Sequence, residues 1–143
     1  MTGPAQQPPP PARTRPADVD TGFWLWAAAL PLMTTGYAVN LLTSPEATGN
    51  PVFYPIVGLT AVVMVVVVLT FLMLMRSGYR WARTVLTGGG IAAVVSALNS
   101  LSEADPRPAV ALTTAVTGIV GSVLIGGGVL VLHRAAAQEY FTR

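Results

Sequence analysis

Residues 52–75 read VFYPIVGLTAVVMVVVVLTFLMLM, and no charged side chain interrupts this stretch. An apolar run of roughly 18 or more residues is long enough to cross the hydrocarbon core of a bilayer as a helix. The four successive valines Val65–Val68 would favour a strand in water. In lipid, however, an isolated strand would leave its backbone polar groups unpaired. The stretch therefore predicts a transmembrane helix.

Three further apolar runs predict three more membrane spans. We place the four spans at residues 22–42, 52–75, 84–101 and 109–132. Because the connections between them are short, successive helices are expected to lie antiparallel as neighbours. The predicted fold class is all-α, a four-transmembrane-helix up-down bundle that occupies residues 21–135.

The two ends of the chain are polar and are predicted to lie outside this bundle. Six of the twelve prolines fall within residues 1–20, which contain few large apolar side chains. Such a composition is typical of a disordered tail, which we interpret as a spacer, although a polyproline ligand for a partner is the alternative. Residues 136–143 are predicted to form a short C-terminal tail, which continues the last helix along the membrane surface or contacts a partner.

The composition excludes several classes of function. The chain is 52% hydrophobic and 10% charged, with a mean hydropathy of +0.60, whereas soluble domains carry about 25% charged residues. It has no cysteine, so thiol chemistry and disulfides are excluded. The net charge of +2 comes from scattered arginines without a basic face, so we predict no nucleic-acid partner.

The arginines predict the orientation of the bundle. Seven of the eight lie on one side of the predicted spans, namely Arg13, Arg15, Arg76, Arg80, Arg83, Arg134 and Arg143. Only Arg107 lies on the other side, together with Glu46, Glu103 and Asp105. Since arginine-rich connections stay in the cytoplasm, both termini are predicted to be cytoplasmic. The use of arginine without lysine suggests a GC-rich bacterial genome and hence a bacterial plasma membrane.

Small residues recur every four positions in the last two spans. One ladder comprises Gly88, Ala92, Ser96 and Ser100, and the other comprises Thr114, Gly118, Ser122 and Gly126. Small faces let helix backbones approach closely in lipid. We therefore predict that the third and fourth spans pack through these ladders. The alternative is that one ladder faces outward and forms a homodimer or binds a larger partner.

Two polar clusters are predicted at the membrane surfaces. Arg76, Arg80, Trp81 and Arg83 form a basic aromatic cluster suited to anionic lipid headgroups. Asn40, Asn99, Glu103 and Asp105 form a possible extracytoplasmic polar cluster, with Glu46 nearby. A cation or polar ligand could bind there, but carboxylates at an interface are usually only solvated.

The stretch from Gly78 to Thr87, GYRWARTVLT, also carries a family resemblance. It resembles a Gly, Arg, Trp-Ala-Arg turn found in small four-pass membrane proteins of actinobacteria. This resemblance implies a plasma-membrane protein of that bacterial group. It implies no catalytic residue.

No enzymatic constellation is visible in the sequence, and we predict no cofactor, metal or catalytic residue. His133 is the only histidine, and no Asp, Glu, Lys, Arg or His falls inside the four predicted spans. The hypothesis is a non-enzymatic accessory or scaffold subunit of a membrane complex, whose partners are the bilayer and either a larger membrane protein or further copies of the chain. The alternative is a homo-oligomeric channel or carrier for a small solute.

Overall fold

A computed structural model describes residues 16–47, 49–103 and 105–134. It contains four helices, which are α1 (Ala17–Leu42), α2 (Phe53–Arg76), α3 (Arg80–Ser102) and α4 (Pro108–Leu132), and the described residues form no strand. All four helices are long and apolar enough to cross a membrane. The predicted all-α, four-span fold class is confirmed, whereas residues 1–15 and the predicted C-terminal tail lie outside the described residues.

Helix α1 begins earlier than the apolar run suggests. Its first residue is Ala17, so residues 17–20, which the sequence assigned to the tail, are helical. Asp18 and Asp20 lie in the first turn, where a carboxylate interacts favourably with the helix dipole. Asp20 also lies 3.3 Å from Arg76, and Asp18 lies 4.0 Å from Arg134. These charged residues are therefore part of the helical bundle. A span predicted from apolar residues alone leaves them out, so the predicted span starts later than α1.

Helix α3 also begins earlier than predicted, because the turn before it is very short. Gly78 has a φ of +91°, a conformation that glycine adopts without strain. Its N–H donates to Met75 at 2.9 Å, and the N–H of Tyr79 donates to Leu74 at 3.1 Å. This is the Schellman arrangement that ends a helix at a left-handed glycine. The next helix starts at Arg80, so Arg80, Trp81 and Arg83, which lie between the predicted second and third spans, belong to the first turn of α3, whereas Arg76 is the last residue of α2.

The four helices form a closed ring in which α4 returns against α1. These two helices pack more extensively than any other pair, although they are the most distant in sequence. They run antiparallel, since Gly22 lies against Leu132 while Gly36 lies against Thr117. A Cβ atom on Gly22 would fall 2.8 Å from Cγ of Leu132. Glycine therefore permits the close approach of α1 and α4.

The indole of Trp26 reaches from α1 to both α3 and α4. A Cβ atom on Gly90 would lie 2.7 Å from Cη2 of the indole, and one on Gly128 would lie 2.6 Å from Cδ1. Trp26 is only 6% exposed. Gly90 and Gly128 are each the last residue of a run of three glycines, Gly88–Gly90 in α3 and Gly126–Gly128 in α4. The last glycine of each run contacts the indole, while the first, Gly88 or Gly126, faces open space.

The buried side chains of the bundle are concentrated toward one end. We call the end that holds Asp20, Arg76 and Arg134 the arginine end, and the opposite end, which holds Glu46 and Asp105, the acidic end. The main buried cluster lies toward the arginine end and comprises Val19, Phe23, Trp26, Ala29, Leu72, Met75, Ala82, Leu86, Ile125 and Leu132. No described residue of α1 beyond Ala29, or of α3 beyond Gly90, is buried. The helices therefore leave space between them toward the acidic end.

The contacts of Trp26 predict unequal effects of alanine at neighbouring glycines. Gly90→Ala and Gly128→Ala are each expected to lower the free energy of unfolding by about 1–3 kcal/mol, because the added methyl group overlaps the rigid indole. Unfolding in mixed detergent micelles, followed by far-ultraviolet circular dichroism, measures this change.

Matched controls are available two residues earlier in each run. Gly88→Ala and Gly126→Ala meet no neighbouring atom and should leave stability unchanged or raise it by up to about 1 kcal/mol, since alanine is the better helix former. Equal destabilisation by all four substitutions would contradict the placement of Trp26.

Candidate functional site

A cavity of about 660 Å³ lies between the four helices, and every helix contributes to its wall. Trp26, Phe71 and Ile125 line the part of the cavity nearest to the buried cluster. Tyr37, Asn40, Ser100 and Thr114 line the part nearest to the acidic end. The cavity therefore occupies the loosely packed half of the bundle, and the Trp26 contact closes it toward the arginine end.

The wall of this cavity is mostly apolar, and its polar members are uncharged. Its polar residues are Thr34, Tyr37, Asn40, Ser96, Ser100, Thr114 and Thr117, and none of the described residues in the wall carries a formal charge. The hydroxyl of Ser100 donates to the carbonyl of Ser96, and that of Thr117 donates to Thr113. Such bonds within a helix satisfy hydroxyls in lipid.

The remaining polar side chains offer hydrogen-bonding capacity. Tyr37, Asn40 and Ser96 form no side-chain hydrogen bond with another described residue. A hydroxyl both donates and accepts, and an amide offers two donors and an acceptor. A mostly apolar cavity with a few such groups near one end is the usual form of a small-molecule site.

The structure does not assemble the polar cluster predicted from Asn40, Asn99, Glu103 and Asp105. All three of Asn40, Asn99 and Glu103 are exposed, but only Asn40 lines the cavity. Asp105 instead forms an ion pair with Arg107 at 2.7 Å. Hydrogen bonds from the guanidinium and the backbone N–H of Arg107 lower the pKa of Asp105 to about 2. The carboxylate is therefore engaged within its own loop.

Arg107 has a structural role that the sequence analysis missed. Its Nη2 atom donates to the carbonyl oxygen of Thr43 at 2.6 Å, which ties the α3–α4 loop to the end of α1. Its backbone N–H donates to Oδ1 of Asp105 at 2.8 Å. The available signal was the two-residue spacing of Asp105 and Arg107, which is typical of an aspartate that caps its own turn. The distribution of arginines alone identifies Arg107 only as the exception to the charge asymmetry.

The structure does not bring the two small-residue ladders together along their length. Gly118 is the ladder glycine that touches α3, since a Cβ atom there would lie 3.6 Å from Cβ of Ala97. Ala92 and Ser96 line the cavity and are exposed. Most close contacts between small residues and a facing helix form instead between α1 and α4, and α3 meets α4 closely at Gly90, outside the ladder, where a Cβ atom would lie 2.8 Å from Cγ2 of Ile125. In α4 the residues that face α1 are offset from the predicted ladder and comprise Thr117, Gly121 and Gly128.

At the arginine end, the predicted lipid-contact residues divide into two groups. The guanidinium of Arg76 lies beside Asp20 and 4.9 Å above the ring of Phe23. Arg83 donates to the carbonyl oxygen of Leu132 at 3.3 Å, which satisfies the C-terminal end of α4. By contrast, Arg80 and Trp81 are exposed, and the Trp81 ring packs edge-on against Phe71. Arg80 and Trp81 are thus the members best placed to meet lipid headgroups.

The described aspartates, glutamates and histidine are dispersed over the two ends of the bundle. Within residues 16–47, 49–103 and 105–134, no group of three or more His, Asp or Glu residues is placed to hold a metal ion. Nδ1 of His133 lies 2.8 Å from the carbonyl oxygen of Val129, at the C-terminal end of α4. A histidine there interacts favourably with the helix dipole.

The fold defines this chain as a multi-pass membrane protein with four candidate spans. Comparison with protein-family models, curated proteins and solved structures finds no match to the chain. Its function is therefore argued from its own surfaces and cavity.

Proposed function

We propose that this protein is a non-enzymatic integral protein of a bacterial plasma membrane, which acts as an accessory or scaffold subunit of a larger membrane complex. The observation that carries this proposal is the exposed face of α2. Of the 24 residues of that helix, only Val57, Leu72 and Met75 are buried. Most of α2 therefore lies on the surface of the bundle, where a lipid or a partner helix covers it.

The composition of this surface favours a protein partner. Val62, Val63 and Val66 are all at least 53% exposed and lie on successive turns of α2, outside the wall of the cavity. β-Branched side chains already have restricted rotamers in a helix, so they lose little entropy when another helix packs against them. The face also carries no charge that would restrict the choice of a membrane partner.

The charge distribution supports an orientation with both termini in the cytoplasm. Arg76, Arg80, Arg83 and Arg134 all belong to the arginine end, and Arg107 lies at the acidic end. Arginine-rich ends of membrane bundles face the cytoplasm. There, the exposed Arg80 and Trp81 lie at the level of the anionic headgroups.

A homo-oligomeric channel or carrier is the second candidate, and the cavity between the four helices is the observation that favours it. The buried cluster around Trp26 closes this cavity toward the arginine end, so a continuous path through one bundle requires that cluster to open. Solute flux in liposomes that contain only the purified protein would favour this second candidate over the accessory role.

The accessory role predicts a stoichiometric partner that depends on the α2 face. Purification of the tagged full chain from its native membranes in mild detergent should yield a defined partner, identified by mass spectrometry. Val62→Phe combined with Val66→Phe changes the shape of the exposed face without touching the buried cluster and is expected to reduce co-purification at least several-fold. Recovery of the chain only as a monomer or homo-oligomer would contradict the accessory role.

A matched control lies on another helix. Val123 of α4 is 68% exposed, so Val123→Phe adds the same side chain to a surface outside the proposed interface. This variant should retain the partner. If Val123→Phe removed the partner as completely as the α2 variant, the interface would not lie on α2.

The orientation predicts which end reacts with an impermeant thiol reagent. The chain has no native cysteine, and Glu46 and Ser77 are exposed at opposite ends of the bundle. In spheroplasts, whose plasma membrane is intact, a Glu46→Cys variant should react with an impermeant maleimide. Ser77→Cys should react only after the membrane is permeabilised. The reverse pattern would place the arginine end outside the cell.

A further inference from the structure

We infer that the cavity between the four helices binds an uncharged, membrane-dissolved molecule with an apolar body and a hydroxyl or carbonyl group at one end. This inference goes beyond the accessory role and does not depend on it. It depends on the volume of the cavity, on the chemistry of its wall and on the order in which apolar and polar groups follow one another along it.

The volume decides what class of occupant can enter. At about 660 Å³, the cavity falls within the range of roughly 300–1,000 Å³ that is usual for small-molecule sites. A spanning helix about 10 Å across and 30 Å long has several times this volume. The size of the cavity therefore favours a small molecule over a spanning helix, and a partner helix is assigned to the outer face of α2.

The wall decides the charge of the occupant. The described residues that line the cavity include no arginine, aspartate, glutamate or histidine. A charged group placed among apolar side chains in a membrane would lack a counter-ion, and this costs several kcal/mol. The wall therefore favours an uncharged occupant over an ion or a phosphate.

The polarity of the wall changes along the cavity and orients the occupant. Trp26, Phe71 and Ile125 line the closed part and offer mainly apolar surface to an occupant, and the one polar side-chain atom among them, Nε1 of Trp26, is buried without a hydrogen-bond partner among the described residues. Tyr37, Asn40 and Ser96 lie farther toward the acidic end and form no side-chain hydrogen bonds with other described residues. A hydroxyl or carbonyl oxygen of the ligand can bond to these groups while its apolar body fills the closed part.

The arrangement at the closed part gives the site a defined shape. The Trp26 indole is held between Gly90 and Gly128, so it forms a rigid wall rather than a mobile side chain. A preformed wall lowers the ordering cost of binding. Met33 and Met64 also line the cavity, and the flexible side chain of methionine can adapt to an apolar body of variable shape.

Photolabelling of the purified full chain in liposomes tests this inference. The probe is hexadecanol with a diazirine in the middle of its chain, and mass spectrometry maps the labelled residues. We expect saturable labelling of Met33, Met64 and Phe71 in preference to Val123 and Leu130, which are exposed outside the cavity wall.

Ala92→Phe fills part of the cavity and should abolish this preference, whereas Ala28→Phe, at an exposed position outside the wall, should retain it.

A second variant keeps the test decisive even if the larger side chain disturbs folding. Tyr37→Phe removes one hydroxyl without adding an atom. It should raise the concentration of unlabelled hexadecanol needed for half-maximal competition roughly two- to tenfold, as expected for the loss of one hydrogen bond. Competition by hexadecane, which has no hydroxyl, should be weaker in the native protein and unchanged by this substitution.

Two results would overturn the inference. Equal competition by hexadecane and hexadecanol, with no effect of Tyr37→Phe, would mean that the polar side chains of the cavity do not bind the hydroxyl group of the ligand. Equal labelling of the cavity wall by phosphatidylcholine with the same diazirine in one acyl chain would mean that ordinary bilayer lipid fills the space and that no selective site exists.

Discussion

The contact of the Trp26 indole with Gly90 and Gly128 is the constraint on which the packing of this bundle depends. Both glycine positions approach the ring so closely that even a methyl group would overlap it. In lipid the hydrophobic effect does not hold helices together, so close van der Waals contact of this kind has to do so. The indole joins the first helix to the third and fourth, and the buried cluster at the arginine end is built around it.

This constraint accounts for the asymmetry between the two ends of the bundle. Around Trp26 the helices approach closely, and at the arginine end the pairs Asp20–Arg76 and Arg83–Leu132 link neighbouring helices. At the acidic end the Arg107 guanidinium ties the last loop to the end of α1. Below it α1 and α4 still meet at Gly36 and Thr117, but no described residue of α1 beyond Ala29 or of α3 beyond Gly90 is buried. The cavity is the space that remains between this anchor and the Trp26 contact.

The number, type and order of the helices could be predicted from the sequence, because length and continuous apolarity are sufficient to recognise a membrane span. The packing could not be predicted in the same way. Residue spacing identifies a face of small residues, as with Gly88 and Gly126, but it does not show which helix that face meets. The strongest contact joins the first and last helices, and the pairing of Gly22 with Leu132 has no local signal in the sequence.

The candidate site was only partly accessible to sequence analysis for the same physical reason. Asn40 was recognised as a polar group near the end of a span, and it does line the cavity. The sequence places Asp105 at the same end as Asn40, which suggests a common cluster. In the structure Asp105 forms an ion pair with Arg107, two residues away, instead of lying with Asn40 in the cavity wall. The cavity arises where four helices diverge, and such a space depends on tertiary geometry rather than on any one motif.

The central claim, that Trp26 is enclosed between three helices, is tested most directly by fluorescence quenching of two single-tryptophan proteins. One retains only Trp26 and the other only Trp24, which lies about 3 Å away along the axis of the same helix and is 66% exposed. In liposomes of phospholipid brominated near the carbonyl end of the chain, we predict strong quenching of Trp24 and weak quenching of Trp26. Equal quenching of the two would show that the indole faces lipid and would contradict the account.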